Sequence, residues 1–187
     1  AATCLGSGVV VCGGDVARPA WGQRQAVQWF DQEDGEWVPG VDMPEPRAGA
    51  CAIAYGPHLY VFGGQHDANE CNTAARFNTL DGQWETLPQM TLKRAYAGGA
   101  VLGSHIYICG GWTGLNFIRQ VERFDPSTCT WDQMPAMIEA RAGPGVATLG
   151  DYIYVCGGAC ASGRGYALNK LCSAERFKPQ GDSGYWE

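Results

Sequence analysis

The sequence predicts an all-β propeller, with about four blades of four antiparallel strands each, forming a partial and unclosed arc. Three observations carry that prediction. An apolar run ends on a double glycine four times, at Gly14, Gly64, Gly111 and Gly158. The last three pairs are spaced by 47 residues, an interval kept by Arg47, Arg94 and Arg141 and by Met43, Met90 and Met137. An aromatic pair keeps the same beat: Phe30, Phe77 and Phe124 stand seven residues ahead of Trp37, Trp84 and Trp131, with Phe177 and Trp186 as a looser fourth copy. A period of about 45–50 residues holding four strand-like runs is the signature of a propeller blade.

The third unit shows each element in order. "AGGAVLG" after Arg94 is the first strand, "HIYICGG" the second, "QVERFDP" the third, and the fourth is entered at Trp131, with turns rich in Gly, Pro, Asp and Ser. In the second strand Tyr107 and Cys109 point one way and Ile106 and Ile108 the other, and both sets are apolar. Such a strand is covered on both faces by neighbouring sheets. The double glycine then sits where inner strands crowd and the chain swings outward, and the Phe and Trp of the outer strands supply apolar contact between blades. The approximate units are 1–46, 47–93, 94–140 and 141–187. By alignment Ala1 falls where Cys51, Gly98 and Gly145 fall, and "YWE" enters the last strand of the fourth unit, so both ends are expected to lie within a blade. Open apolar faces and unpaired edges would make such an arc prone to self-association; a self-closed ring of four blades is the alternative.

Composition bounds the function. A chain of 187 residues with 45% apolar content suits one large all-β unit. A net charge of -6 without any Lys/Arg cluster argues against nucleic acid and against anionic membranes as partners. No apolar run reaches the roughly 18–20 residues of a membrane span, and the start has neither an initiator Met nor a signal-peptide pattern, so the chain reads as soluble and cut from a longer one. Of nine cysteines, Cys12, Cys109 and Cys156 share one repeat position and read as small buried packing residues. A reduced, cytoplasmic chain is expected, with Cys160 and Cys172 in one long loop as the pair that would bridge in a secreted protein. His58 and His105 recur one period apart in the turn before the second strand, whereas His66 lies past the double glycine, at the other end of a strand about 15–20 Å long. No metal site, no cofactor and no enzyme activity is therefore expected.

Residues that break the period on loops are the better candidates for recognition. From the double glycine to the Phe the gaps are 16, 13, 13 and 19 residues, so the loops between second and third strands vary. They share one face of the propeller with the loops carrying the repeated arginines. Candidate binding residues there are Asp15, Gln65, His66, Trp112, Asn116, Phe117 and Arg164, together with Arg94 and Arg141. The arginines read first as scaffold, bonded to loop carbonyls, and second as ligand contacts. Trp112 and Phe117 are aromatic anchors for a protein or peptide, while Arg164 and Lys170 suit an acidic peptide.

With the double glycine, the aromatic and Trp seven apart and the M-x-x-x-R run before each first strand, the chain resembles the kelch repeat, most closely that of the kelch-like adaptor proteins. The unit "RAYAGGAVLGSHIYICGGWTGLNFIRQVERFDPSTCTWDQMPAM" carries the likeness, which covers essentially all 187 residues. The resemblance implies a protein-binding module, the substrate-recognition part of a ubiquitin-ligase adaptor whose BTB and BACK domains lie elsewhere. Cytoskeletal or scaffold kelch proteins are the alternative reading, and the copper-radical oxidases a further one. In kelch-like adaptors the residue after the double glycine and the residue after the repeated Arg line the partner groove, which implies Asp15, Gln65, Trp112 and Ala159, then Ala48, Ala95 and Ala142. Alanine at all three post-Arg positions removes hydroxyls common there, so a known adaptor's peptide preference does not simply carry over.

Overall fold

Strands form where β-branched and aromatic residues alternate between turn residues, because such side chains stack well on a pleated surface. The computed structural model describes residues 1–6, 8–15, 24–161, 168–181 and 183–187, and the described residues contain strands and no helix. Blade 1 consists of β1 (Ala2–Leu5), β2 (Gly8–Cys12), β3 (Val27–Asp31) and β4 (Glu36–Pro39). Blade 2 has β5 (Cys51–Tyr55), β6 (His58–Phe62), β9 (Ala74–Asn78) and β10 (Gln83–Leu87), with a small hairpin of β7 (Gln65–His66) and β8 (Asn69–Glu70) inserted. Blade 3 has β11 (Gly98–Leu102), β12 (His105–Cys109), β13 (Val121–Asp125) and β14 (Thr130–Met134). Blade 4 has β15 (Gly145–Leu149), β16 (Tyr152–Cys156), β19 (Ala174–Gln180) and β20 (Ser183–Trp186), again with an inserted hairpin, β17 (Ala159–Ala161) and β18 (Leu168–Lys170).

Each blade is an antiparallel four-stranded sheet in chain order. The aromatic pair is a direct cross-strand pair in every one: Phe30 opposite Trp37, Phe77 opposite Trp84, Phe124 opposite Trp131 and Phe177 opposite Trp186. The looser spacing of the fourth pair is thus a longer hairpin with the pairing kept. Ala1 exchanges both backbone hydrogen bonds with Cys12, as the alignment with Cys51, the partner of Phe62, requires.

The core lies between blades. Val10, Cys12, Val27 and Met43 of blade 1 pack on Leu59, Val61 and Phe77 of blade 2. Tyr60, Phe62, Leu87 and Met90 of blade 2 then pack on Ile106, Ile108 and Phe124 of blade 3. Tyr107, Cys109, Val121 and Met137 of blade 3 repeat the contact with Ile153, Val155 and Phe177 of blade 4. Burying a side chain of this size contributes about 1.5–3 kcal/mol, so the junctions between blades hold the arc together. Each junction also carries one indole bond, from Trp84 to the Val41 carbonyl at 3.0 Å, Trp131 to Pro88 at 2.9 Å and Trp186 to Pro135 at 2.8 Å.

Two expectations need correction. Cys12 and Cys109 are buried, but Cys156 is exposed, because the corresponding face of blade 4 meets no further sheet among the described residues. His58 and His105 are the first residues of β6 and β12, with the turns just before them. Cys160 and Cys172 are free thiols.

Candidate protein-interaction face

The face that carries the loops is built by the repeated arginines. Burying such a side chain is costly unless most of its donors are satisfied. Arg141 donates from Nη1 to the carbonyls of Gly157 (2.9 Å) and Ser173 (3.0 Å), both within its own blade. Its main chain faces the other way: the Arg141 N–H donates to the Ile118 carbonyl, and the Arg141 carbonyl accepts from the Gly111 N–H at 2.7 Å. Arg47 and Arg94 repeat the arrangement, with Gly14 and Gly64 as backbone donors. One residue therefore ties two blades, the backbone holding the preceding blade and the guanidinium its own.

That tie explains the double glycine. The first glycine of each pair has a positive φ, 64° at Gly13, 60° at Gly63 and 64° at Gly110. A Cβ on Gly63 would also stand 2.2 Å from the Arg94 carbonyl oxygen, well inside contact distance. The missing side chain lets the next blade's arginine approach closely enough to accept the bond from the second glycine.

The residue after each pair is held by the same scaffold. Gln65 exchanges two backbone bonds with Ala48, Trp112 with Ala95 and Ala159 with Ala142, so the two groove-lining positions implied by the resemblance are neighbours. Trp112 is half-buried and pairs with Phe117, ring centroids 4.7 Å apart. Between them Thr113 and Asn116 close the loop through their backbones, at 3.0 Å, which leaves Asn116 exposed at its tip. Gln65 donates to Glu70 at 2.8 Å and accepts from the Tyr96 hydroxyl at 3.2 Å. His66 lies 3.5 Å from the Asp67 carboxylate, and Asp15 is exposed at the start of its loop. Arg164 lies outside the described residues. Arg94 and Arg141 are 1% and 0% exposed, so they stand beneath this face with no surface on it. Ala48 and Ala95 are likewise buried.

Two residues on this face escaped the sequence reading. Leu115, at the tip of the Trp112 loop, is 84% exposed. Tyr96 occupies the position of Gly49 and Gly143 and shares their left-handed backbone, with φ of 55° against 59° and 65°. Its N–H donates to the Gly49 carbonyl and its own carbonyl accepts from Gly143, both at 2.7 Å, so the conformation is imposed by its neighbours. A non-glycine residue there costs on the order of 1 kcal/mol, and what it places on the face is a half-exposed phenol. Burial, and then the Asp15 and Glu70 carboxylates, push that phenol above its ordinary pKa. The signal was in the alignment: a tyrosine where the other copies have glycine.

The opposite face is different in kind. A shallow cavity of about 260 Å³ opens there between blades 2 and 3, lined by Tyr55, Pro57, His58, Arg76, Ser104 and Ser127. Burial, and then Arg76, lower the His58 pKa, and Arg76 is held by Glu85 at 2.7 Å. No group of three or more metal-capable side chains assembles among the described residues. The aromatic and aliphatic surface on the loop face is what suits a protein segment.

The chain matches a family model described as the KLHDC2/KLHL20/DRC7 Kelch-repeats domain over residues 1–175, a span running from β1 into β19. With four-stranded blades, double glycines and arginine ties recurring along that span, the chain belongs to the kelch-repeat family, a family of protein-interaction modules.

Proposed function

We propose that this chain is the substrate-recognition part of a cytoplasmic kelch-like adaptor of the ubiquitin-ligase type, gripping an extended segment of a partner protein across the loop face. The observation that carries the reading is the apolar group on that face, the half-buried Trp112 and Phe117 with the exposed Leu115 at the tip of the same loop and the exposed Tyr96 beside Ala95, the backbone partner of Trp112. Aromatic and aliphatic groups supply most of the affinity in such patches, while Gln65 and Asn116 offer amides for the segment's backbone. The strained Tyr96 supports the same reading, since a conformation that costs stability persists where something else is gained.

Proximity labelling in cells identifies the partner, and titration of the purified pair then tests the face. Trp112→Ala should weaken binding by about tenfold or more, the usual cost of an aromatic anchor, with little change in Tm. Tyr96→Gly should weaken it less and leave the melting temperature level or higher, because the left-handed backbone is relieved. His105→Ala, at the far end of β12, should leave affinity alone. Loss of binding in His105→Ala with full binding in Trp112→Ala would assign recognition to the other face. The adaptor role is tested separately by the partner's ubiquitin load on depletion of the protein. An unchanged load on a cytoskeletal partner would favour a scaffold role while leaving the binding face intact.

A further inference from the structure

A cross-strand pair of tyrosine and arginine faces the next blade at two junctions, and only one of them is closed. In blade 3 Tyr107 stands opposite Arg123, and in blade 2 Tyr60 stands opposite Arg76. Arg123 donates to Asp132 at 2.7 Å and reaches across the junction to the Gly181 carbonyl, at 3.4 Å, in the outer hairpin of blade 4. Its side chain is 8% exposed. Arg76 has the corresponding partner within its own blade, Glu85 at 2.7 Å, and rests against the Tyr60 hydroxyl, but among the described residues it meets no carbonyl of blade 3. Its side chain is 21% exposed.

The difference comes from the next hairpin. In blade 4 the pairing runs on to Gln180 and Ser183, so the turn stands out far enough to meet Arg123. In blade 3 it ends at Asp125 and Thr130, and the turn folds back on itself, with Ser127 donating to the Asp125 carboxylate from its N–H at 2.8 Å and its hydroxyl at 2.6 Å. The cavity of about 260 Å³ opens in the corresponding place, between Arg76 of blade 2 and the short hairpin of blade 3, which contributes Pro126 and Ser127.

The lining decides what fits. Tyr55, Pro57 and Pro126 offer flat apolar surfaces, which suit a ring. Arg76, anchored through Nε by Glu85, supplies a guanidinium whose remaining N–H groups match a carboxylate. Ser104 adds a hydroxyl at the rim. The Glu85 carboxylate beside Arg76 disfavours a doubly charged anion. The volume lies just below that of sites for drug-sized ligands, so one ring and one carboxylate suffice to occupy it.

We propose that the cavity between blades 2 and 3 binds a small carboxylate with a flat apolar body, such as an aromatic acid, which gives Arg76 the contact that the Gly181 carbonyl gives Arg123. The site lies on the face opposite Trp112 and is independent of recognition by the loops.

Benzoate titrated into the isotope-labelled chain should give saturable shifts of the His58, Arg76, Ser104 and Ser127 amides and none at Trp112. Benzyl alcohol keeps the ring without the charge, acetate keeps the charge without the ring, and inorganic phosphate carries more charge; each should bind about tenfold more weakly or less. Arg76→Gln should weaken benzoate by about tenfold or more through loss of the charged donors. Ser104→Trp, at an exposed rim position, should block binding with the arginine in place, which keeps the test open should Arg76→Gln perturb folding. Absence of saturable shifts overturns the proposal, as does any of the three control probes binding as tightly as benzoate, or benzoate binding unchanged in either variant.

Discussion

The arginine entering blade 2 and the arginine entering blade 3 hold the same pose against different partners. Arg47 donates to the Gly63 and Thr73 carbonyls, to the Thr73 hydroxyl and to Glu45, whose side chain is 46% exposed. Arg94 donates to the Gly110 and Gln120 carbonyls and to Glu122, which is 1% exposed. Ala75 stands in blade 2 where Glu122 stands in blade 3. Glu122 also accepts from the N–H groups of Thr91 (2.7 Å) and Leu92, so it fixes the loop that enters the blade as well as the arginine. Blade 4 repeats the charged version, with Glu175 accepting from Ile138, Glu139 and Arg141. The pair of carbonyls is common to all three ties and the buried carboxylate is not. At Arg47 the half-exposed Glu45 and the Thr73 hydroxyl take the place of the buried carboxylate, and the buried carboxylate of blades 3 and 4 adds a grip on the entering loop.

The difference predicts unequal costs. Arg94→Ala strands a buried carboxylate, and breaking a buried pair from one side costs about 3–5 kcal/mol. Chemical denaturation should therefore show a large loss in midpoint. Arg47→Ala leaves only carbonyls short of a donor and a glutamate that reaches water, so the same measurement should show roughly 1–3 kcal/mol. Equal losses in the two variants would mean that the buried carboxylate is not what separates the junctions. A smaller effect appears with alkali. Burial pushes the Cys51 thiol, which packs in the junction of blades 2 and 3, from 9.0 up to about 12. A folded pKa raised above the unfolded one gives stability that is complete below pH 9 and is lost as pH climbs towards 12. Tm should fall through that window, by about 1 kcal/mol of stability for each pH unit this thiol contributes, and Cys51→Ala should flatten the slope.

The blades were legible because each strand's pattern recurs at a fixed interval, and a recurring pattern of glycine, arginine and aromatic residues has few folds that satisfy it. Alternation in "HIYIC" put Tyr107 and Cys109 on one face and Ile106 and Ile108 on the other, and the two faces do pack on different blades. The reason for the double glycine was only half visible. Crowding was expected, but that the crowding atom is the next blade's arginine carbonyl depends on a contact between periods that no single period reveals. Glu122 and Glu175 were missed for a similar reason. A charged residue in mid-strand reads as surface until the loop amides that surround it are known. On the proposed recognition face, Trp112 and Phe117 stood out as aromatic residues on a variable loop. Tyr96 was legible only as a tyrosine aligned with Gly49 and Gly143, since the bonds that fix its left-handed backbone come from those two glycines on neighbouring blades.

The arginine tie also bears on how such chains lengthen. A period of 47 residues counted from one arginine to the next brings the guanidinium's own acceptors with it, but the main chain of that arginine bonds to the glycine pair of the period before. A tandem duplication of one period therefore delivers a segment whose front end mates with the old neighbour upstream and whose glycine pair accepts the old neighbour downstream. No compensating substitution is required on either side. A joint whose two halves lie in consecutive periods is one that the copying of a whole period preserves.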